Sequence, residues 1–109
     1  MAHQPWYATT YRWAQTNLTE IDGQASNLDL WQDIWRRNAI QGIIVNAGGI
    51  VAYYPTDHPL QYRSKYLGDR DIYKAFSDAA KALGIRVIAR MDINRAGQAF
   101  YDAHPDWFA

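Results

Sequence analysis

The stretch "RDIYKAFSDAAKALGIRVIARM", residues 70–91, contains the two clearest secondary-structure elements of the chain. Over residues 70–83 the apolar side chains recur at three- and four-residue spacing, which predicts a helix with one buried face. Asp69 is the predicted N-cap of this helix, and Gly84 is the residue expected to end it. A strand over 85–91 follows directly. Its apolar residues suit burial on both faces, as in a parallel sheet; they are Ile85, Val87, Ile88 and Ala89.

The same alternation of strand and helix extends over the whole chain. In chain order, the sequence predicts a strand over residues 10–16, a helix over 28–38, a strand over 43–46, the helix over 70–83, the strand over 85–91 and a helix over 96–103. Asn27 is the predicted N-cap of the helix over 28–38. His104-Pro105 ends the last helix, because proline disfavours helical geometry in the residue before it. Strands that alternate with helices pair in parallel through right-handed crossovers, so the predicted fold class is α/β.

Polar and aromatic side chains gather directly after the predicted strands. Ligands of parallel sheets bind at the carboxyl ends of the strands, in open sheets and in barrels alike. We therefore expect residues 46–59, "NAGGIVAYYPTDHP", to form a functional loop beyond the sheet. The residues at the three strand ends are Gln15, Asn17 and Glu20, then Asn46, Gly48, Gly49, Tyr53, Tyr54 and His58, then Asp92, Asn94 and Arg95.

Several residues of this loop also fit a purely structural role. Gly48-Gly49 suits a tight turn with positive φ, and neither glycine-rich phosphate motif is present, so we predict no nucleotide cofactor. Tyr53 and Tyr54 point to opposite sides of an extended chain, so at most one of them faces a ligand. His58 precedes a proline in a polar loop, where a plain surface histidine fits as well as a site residue.

Asp92 is the strongest single candidate for a site residue. It stands directly after a buried strand, where a carboxylate has no structural reason to lie unless it is paired or hydrogen-bonded. An ion pair with Arg90, Arg95 or Arg70 would explain it equally well, so both interpretations stay open at this point.

The composition is that of a globular chain of one domain or less, with 109 residues and 49% hydrophobic side chains. Eleven basic and eleven acidic residues give a formal net charge of zero, so we expect neither nucleic acid nor a membrane surface as a partner. The chain has no cysteine, its three histidines lack metal-ligand spacing, and we predict no metal site; the compartment is left undecided. The aromatic content of 15% fits either a core of large rings or a site where rings stack on sugars.

Four segments together resemble one family of carbohydrate-active enzymes. They are "YRWAQTNLTEID", "WRRNAIQGIIVNAGGIVAYYP", "LGDRDIYKAFSDAAKALGIRVIARMDINRA" and "AHPDWFA". In them the chain resembles the hypothetical glycosyl hydrolase group related to α-L-fucosidase and GH42-type β-galactosidase barrels. The likeness covers nearly the whole chain, and its motifs identify the group without identifying a substrate.

The resemblance implies that residues 1–109 are the N-terminal part of a TIM-barrel domain acting on a carbohydrate. A (β/α)8 barrel takes about 250 residues, so this chain would supply roughly its first three units. The two working carboxylates of such barrels lie on later strands. The resemblance therefore implies that the chain is inactive alone and that the following residues contact or support the substrate: Asn46, Tyr54, His58, Arg90 and Asp92.

An incomplete ring of parallel strands would leave two unpaired edges and bare apolar surface. We expect these to be covered by the remainder of a barrel or by further copies of the chain. Two other functions stay open. One is a small carbohydrate-binding module without catalysis, with Trp13, Asn46, Tyr54 and Asp92 around the sugar. The other is a purely structural barrel fragment.

Overall fold

The structure is a computed structural model that describes residues 3–24 and 27–109. Its strands are β1 (Trp13–Gln15), β2 (Gly42–Gly49) and β3 (Arg86–Asp92). Its α-helices are α1 (Trp6–Thr9), α2 (Leu28–Arg37), α3 (Ile72–Ala82) and α4 (Gln98–Ala103), and 3₁₀ turns cover Glu20–Gln24 and Pro105–Trp107.

The three strands form one parallel sheet in the order β1-β2-β3. Ala14, Ile43 and Val87 lie side by side in its middle register. Helix α2 lies in the connection from β1 to β2, and α3 lies in the connection from β2 to β3. The predicted α/β class is therefore confirmed, and the arrangement is consistent with the first units of a barrel.

The core lies between β2 and the two central helices. Ile43 and Val45 point to the helix side and are fully buried. Trp35 of α2 and Phe76 of α3 pack on them, with ring centroids 6.3 Å apart. This is the apolar stripe that the helix periodicity predicts, because residues three and four apart share one helix face.

The expectation that β3 is buried on both faces is wrong. Val87 packs partly against the core, but Ile88 is 39% exposed and Ala89 is exposed. The physical reason is that α2 and α3 pack on one side of the sheet and β3 is its edge strand.

The element boundaries differ from the sequence predictions at two functional places. Strand β2 runs on to Gly49, so "NAGG" belongs to the strand rather than to the loop after it. Helix α3 is capped by Asp71, whose side chain accepts a hydrogen bond from the Lys74 amide, and not by Asp69. Gly84 has φ +73° and ends the α3 turn as predicted.

Candidate functional site

The polar part of the site begins at Asn46, near the carboxyl end of β2. Its Oδ1 accepts hydrogen bonds from the Thr16 hydroxyl at 2.9 Å and from the Leu18 amide at 3.1 Å. Its own amide donates to Thr16 Oγ1 at 3.2 Å. The side chain of Asn46 thus fixes the chain that leaves β1, and its hydrogen-bonding capacity explains why a polar group follows the apolar run.

Arg90 extends the polar network across the sheet. It is paired in register with Asn46 on the neighbouring strand. Its Nη1 donates to Asn17 Oδ1 at 3.1 Å, and its Nη2 lies 3.5 Å from Asp92 Oδ2. Asn17 Oδ1 also accepts a hydrogen bond from Gln15 Nε2 at 2.9 Å. Side chains of β1, of the segment after it and of β3 are therefore joined in one chain of contacts, which lies beside the hydrogen bonds of Asn46 on β2.

Glu20 joins the loop after β1 to the long loop after β2. Its carboxylate accepts hydrogen bonds from the Tyr62 hydroxyl and from the Lys65 amide, the latter at 3.2 Å, and its backbone oxygen accepts one from Ser64 Oγ at 2.9 Å. The Tyr62 hydrogen bond, followed by that from Lys65, holds the pKa of Glu20 below its ordinary value. The carboxylate is therefore a fixed negative acceptor.

Tyr53 is a buried residue that holds together the segments around the site. Its ring is buried, and its hydroxyl donates to the Leu18 carbonyl at 2.9 Å. Burial raises the pKa of Tyr53, and the negative charges of Asp22 and Glu20 add to this shift. Its backbone oxygen accepts hydrogen bonds from the first amides of α3. Tyr53 therefore links the loop after β1, the loop after β2 and the start of α3.

These groups surround a pocket of about 210 Å³ at the carboxyl ends of the strands, which we call the network pocket. Its lining residues are Leu18, Thr19, Glu20, Asn46, Gly48, Ile50, Val51, Tyr53 and Asp92. Glu20 accepts hydrogen bonds from the Tyr62 hydroxyl and the Lys65 amide, and Asp92 forms an ion pair with Arg90. A pocket with fixed acceptors, an amide and small apolar walls suits a neutral ligand rich in hydroxyl groups.

Two glycines shape this end of the sheet. Gly49 has φ +99°, and a Cβ on it would lie 2.0 Å from the backbone oxygen of Asp92. The register of β2 and β3 shifts between Asn46 and Gly48, so Gly48 pairs with Met91. The positive φ predicted for the Gly48-Gly49 pair is present at the second residue, and it lets the two strand ends approach closely.

Three of the predicted site residues lie together. Asn46 and Asp92 line the network pocket, and Arg90 connects to both through its register pair and its ion pair. The ion pair with Arg90, which was the structural alternative for Asp92, is present. Tyr54 is half-buried beside Gly48, where an added Cβ would lie 3.5 Å from its Cε1.

Two predicted site residues do not join this network. Trp13 is the first residue of β1, and its ring covers Gly42, the first residue of β2. It therefore lies at the amino end of the sheet and cannot share a binding rim with Asn46. His58 is exposed and makes local hydrogen bonds, its Nδ1 accepting from the Leu60 amide at 3.2 Å. These contacts fit the surface-histidine interpretation.

Sequence reasoning placed Asn17 and Glu20 at the carboxyl rim without selecting them, and it missed Thr16. The signal for Glu20 was its position after the first strand. Its partners Tyr62 and Lys65 lie more than forty residues along the chain, so no local pattern could identify them.

Within residues 3–24 and 27–109, no group of three or more histidine and carboxylate side chains is arranged to hold a metal ion. None of the helices in these ranges is long and apolar enough to cross a bilayer.

Comparison with known proteins gives one family. Residues 29–109 match the family model described as hypothetical glycosyl hydrolase 6. These residues include β2, β3 and the long loop after β2. That loop contains Tyr62 and Lys65, which donate hydrogen bonds to Glu20. Searches of curated proteins and of solved structures find no match.

Proposed function

The chain belongs to the hypothetical glycosyl hydrolase 6 family, and we propose that it forms part of the substrate-binding face of a glycoside hydrolase barrel. In this proposal residues 1–109 supply about the first three of eight strand–helix units. The network pocket holds the hydroxyl groups of a sugar ring. The chemistry is performed by groups on the later units.

One observation carries the proposal: the network pocket lies where the carboxyl ends of all three parallel strands meet. Ligands of parallel α/β sheets bind at this end, because the loops there are free of the sheet's own packing. Asn46 and Asp92 contribute side chains from β2 and β3, and the loop after β1 contributes Glu20. Fixed acceptors of this kind match the donors of sugar hydroxyl groups.

The face of the sheet opposite the helices supports the barrel part of the proposal. Residues in register form layers on that face: Trp13, Gly42 and Arg86 at the amino end, then Gln15, Ile44 and Ile88, then Asn46 and Arg90. Layers of side chains from neighbouring strands fill the interior of a TIM barrel. We propose that further barrel units, or further copies of this chain, cover this face and the free edges of β1 and β3.

The carboxylates of the network pocket suit binding rather than bond cleavage. A retaining glycosidase needs two carboxyl groups about 5–5.5 Å apart, one of them protonated to act as the general acid. The lowered pKa of Glu20 makes it a poor proton donor, and Asp92 is engaged in an ion pair with Arg90. The nucleophile and the acid therefore lie on later strands in this proposal.

The test compares matched arginine variants in a family member that contains the later barrel units. At the position of Arg90, substitution by alanine should lower kcat/KM for an aryl glycoside by about tenfold or more, since the network that holds Asp92 is lost. At the position of Arg86, on the same strand and face but at the amino end, alanine should leave kcat/KM unchanged. Equal effects of the two substitutions would contradict the proposal.

The 109-residue chain itself provides a second check. We expect no hydrolysis of aryl glycosides above a buffer blank. Turnover by the purified chain would show that the catalytic groups lie within it. Sugar binding by the chain, together with no glycoside hydrolysis by a family member that contains the later units, would favour the alternative of a binding module without catalysis, which the two engaged carboxylates also fit.

A further inference from the structure

A second and larger pocket lies beyond the end of β3. Its volume is about 410 Å³, and we call it the aromatic pocket. Its lining residues are Gly49, Gln61, Met91, Ile93, Asn94, Arg95, Ala96, Phe100, Trp107, Phe108 and Ala109. The volume is within the range of small-molecule sites. Gly49, Asn94 and Arg95 of its lining lie at the strand ends that the sequence predicts, but none of the six residues predicted to contact or support the substrate lines it.

Trp107 presents a flat, open indole surface to this pocket. One face of the ring is stacked on the His104 imidazole, with centroids 3.8 Å apart and planes at 6°. The side chain is nevertheless 64% exposed, so the opposite face is open. Phe100 lies at a tilt beside it, 5.8 Å between centroids. A ring that is already fixed by its neighbours loses little side-chain freedom when a ligand stacks on it.

The position of Trp107 is set by the chain rather than by the ligand. The residue ends the 3₁₀ turn Pro105–Trp107, and its amide donates to the His104 carbonyl at 3.1 Å. Helix α4 stops at this point because proline follows His104. The stop brings Phe108 back onto Phe100, with centroids 6.2 Å apart. The aromatic wall is therefore built before any ligand arrives.

Polar groups with free hydrogen-bonding capacity line the other side of the aromatic pocket. Asn94 and Arg95 are exposed, and neither side chain bonds to another residue that the structure describes. Gln61 is fixed by its Nε2, which donates to the Gly49 carbonyl at 2.8 Å. An aromatic face opposite amide and guanidinium donors combines an apolar platform with hydroxyl recognition, as in sites for sugar rings.

The two pockets adjoin at the paired ends of β2 and β3. Gly48, Ile50 and Asp92 line the network pocket, whereas Gly49, Met91 and Ile93 line the aromatic pocket. The backbones of Gly49 and Asp92 pack closely between these two sets of residues, and the Ile50 amide donates to the Asp92 carbonyl at 2.8 Å.

We infer that the aromatic pocket is a second carbohydrate subsite, in which a pyranose ring stacks on the open face of Trp107 and bonds to Asn94 and Arg95. The inference rests on the proposed function for its substrate class. It adds a specificity-determining residue outside the network pocket.

The test is a titration of the 109-residue chain followed through its tryptophan indole N–H signals in ¹H–¹⁵N spectra. The probes are methyl β-D-galactopyranoside, methyl β-D-glucopyranoside and methyl α-L-fucopyranoside, with sorbitol as an acyclic polyol that has no flat ring face. The Trp107 signal, assigned by its loss in Trp107→Ala, should shift saturably with at least one glycoside and not with sorbitol. The Trp6 signal, from a tryptophan that is 41% exposed at the amino end of the sheet, should not move.

Two variants complete the test. Trp107→Ala should weaken binding of the responsive glycoside by about tenfold, and Trp107→Tyr should restore most of it. Trp6→Ala should leave the affinity unchanged. The inference is overturned if no glycoside shifts the Trp107 signal, if sorbitol shifts it equally, or if Trp107→Ala binds as well as the parent chain. Binding at Trp107 in a family whose members do not hydrolyse glycosides would overturn the proposed function while keeping the subsite.

Discussion

The two ends of the same three strands differ in what holds them together. At the amino end, the ring of Trp13, which is 37% exposed, covers Gly42, and the Gln41 side chain bonds to backbone groups before β1, its Oε1 accepting hydrogen bonds from the Tyr11 and Arg12 amides. At the carboxyl end, Asn46 and Arg90 bond to the residues at and after the end of β1, and Arg90 also pairs with Asp92 of its own strand. Both ends of the sheet therefore have polar contacts, but they differ in what the polar groups surround. At the carboxyl end Glu20, Asn46 and Asp92 line the network pocket, whereas the Gln41 side chain is bonded to backbone groups.

The largest expected effect concerns the glycines at the two ends. Gly49→Ala should lower the free energy of unfolding by about 3 kcal/mol, since it combines a positive φ with a clash against the Asp92 backbone. Gly42→Ala should cost only about 1 kcal/mol, because the added Cβ meets the ring of Trp13, a side chain that can move. Urea denaturation of both variants measures the difference. Equal losses would show that the carboxyl end is no more tightly constrained than the amino end.

The second effect concerns the polar network itself. Asn46→Ala should lower the free energy of unfolding by about 2 kcal/mol, because the Leu18 amide and the Thr16 hydroxyl lose their partner. Asn94→Ala, at an exposed asparagine, should change it by less than about 0.5 kcal/mol. Thermal and urea unfolding provide the comparison. A neutral Asn46→Ala would mean that the network contributes nothing to the fold.

A smaller effect is expected beneath the pocket. Tyr53→Phe removes the hydroxyl that donates to the Leu18 carbonyl and should cost about 1 kcal/mol. Tyr7→Phe is the matched control, since Tyr7 is 68% exposed and its hydroxyl makes no hydrogen bond to a residue that the structure describes. The two variants should differ in urea midpoint with equal slopes. Identical midpoints would show that the hydrogen bond from the Tyr53 hydroxyl does not stabilise the loops.

The smallest effect depends on pH. The Tyr62 hydrogen bond and then the Lys65 amide lower the pKa of Glu20 in the folded chain. A group with a depressed pKa stabilises the fold above its unfolded pKa, and this contribution is lost as the pH falls through the folded value. Between about pH 7 and about pH 3.5, on either side of the ordinary glutamate range, the parent chain should therefore lose more stability than Glu20→Gln.

Tyr62→Phe provides the check on this pH dependence. It removes the largest cause of the Glu20 shift, so its acid-dependent loss should also be smaller than that of the parent chain. An unchanged dependence in both variants would show that Glu20 is not held by these donors in solution.

Local patterns in the sequence predicted most of the fold. The helix stripe around Phe76, the positive-φ stop at Gly84 and the N-cap at Asn27 are each confirmed, because they depend on neighbours within a few residues. The exposure of Ile88 could not be predicted from a local pattern. It depends on what lies on the far side of the sheet and at its edge, which the period of the strand does not encode.

The sequence predicted where the candidate site lies but not all of the residues that form it. The rule that ligands bind at the carboxyl ends of strands places Asn46, Arg90 and Asp92 correctly at one end. The same rule, applied to β1, excludes Trp13, because that residue begins its strand. The sequence did not identify Glu20 as a site residue, because its hydrogen-bond donors lie on the long loop after β2. It did not identify Trp107 either, because the stacking of that ring depends on the turn after α4.

The central claim is that sugars bind at the carboxyl end of this sheet and not at its amino end. Backbone amide shifts in ¹H–¹⁵N spectra, recorded during titration with the same three methyl glycosides, test it directly. The account predicts saturable shifts at Gly48, Ile50 and Asp92, with Gly42 and Arg86 unmoved. Shifts centred on Gly42 and Arg86, or no saturable shift with any of the glycosides, would contradict it.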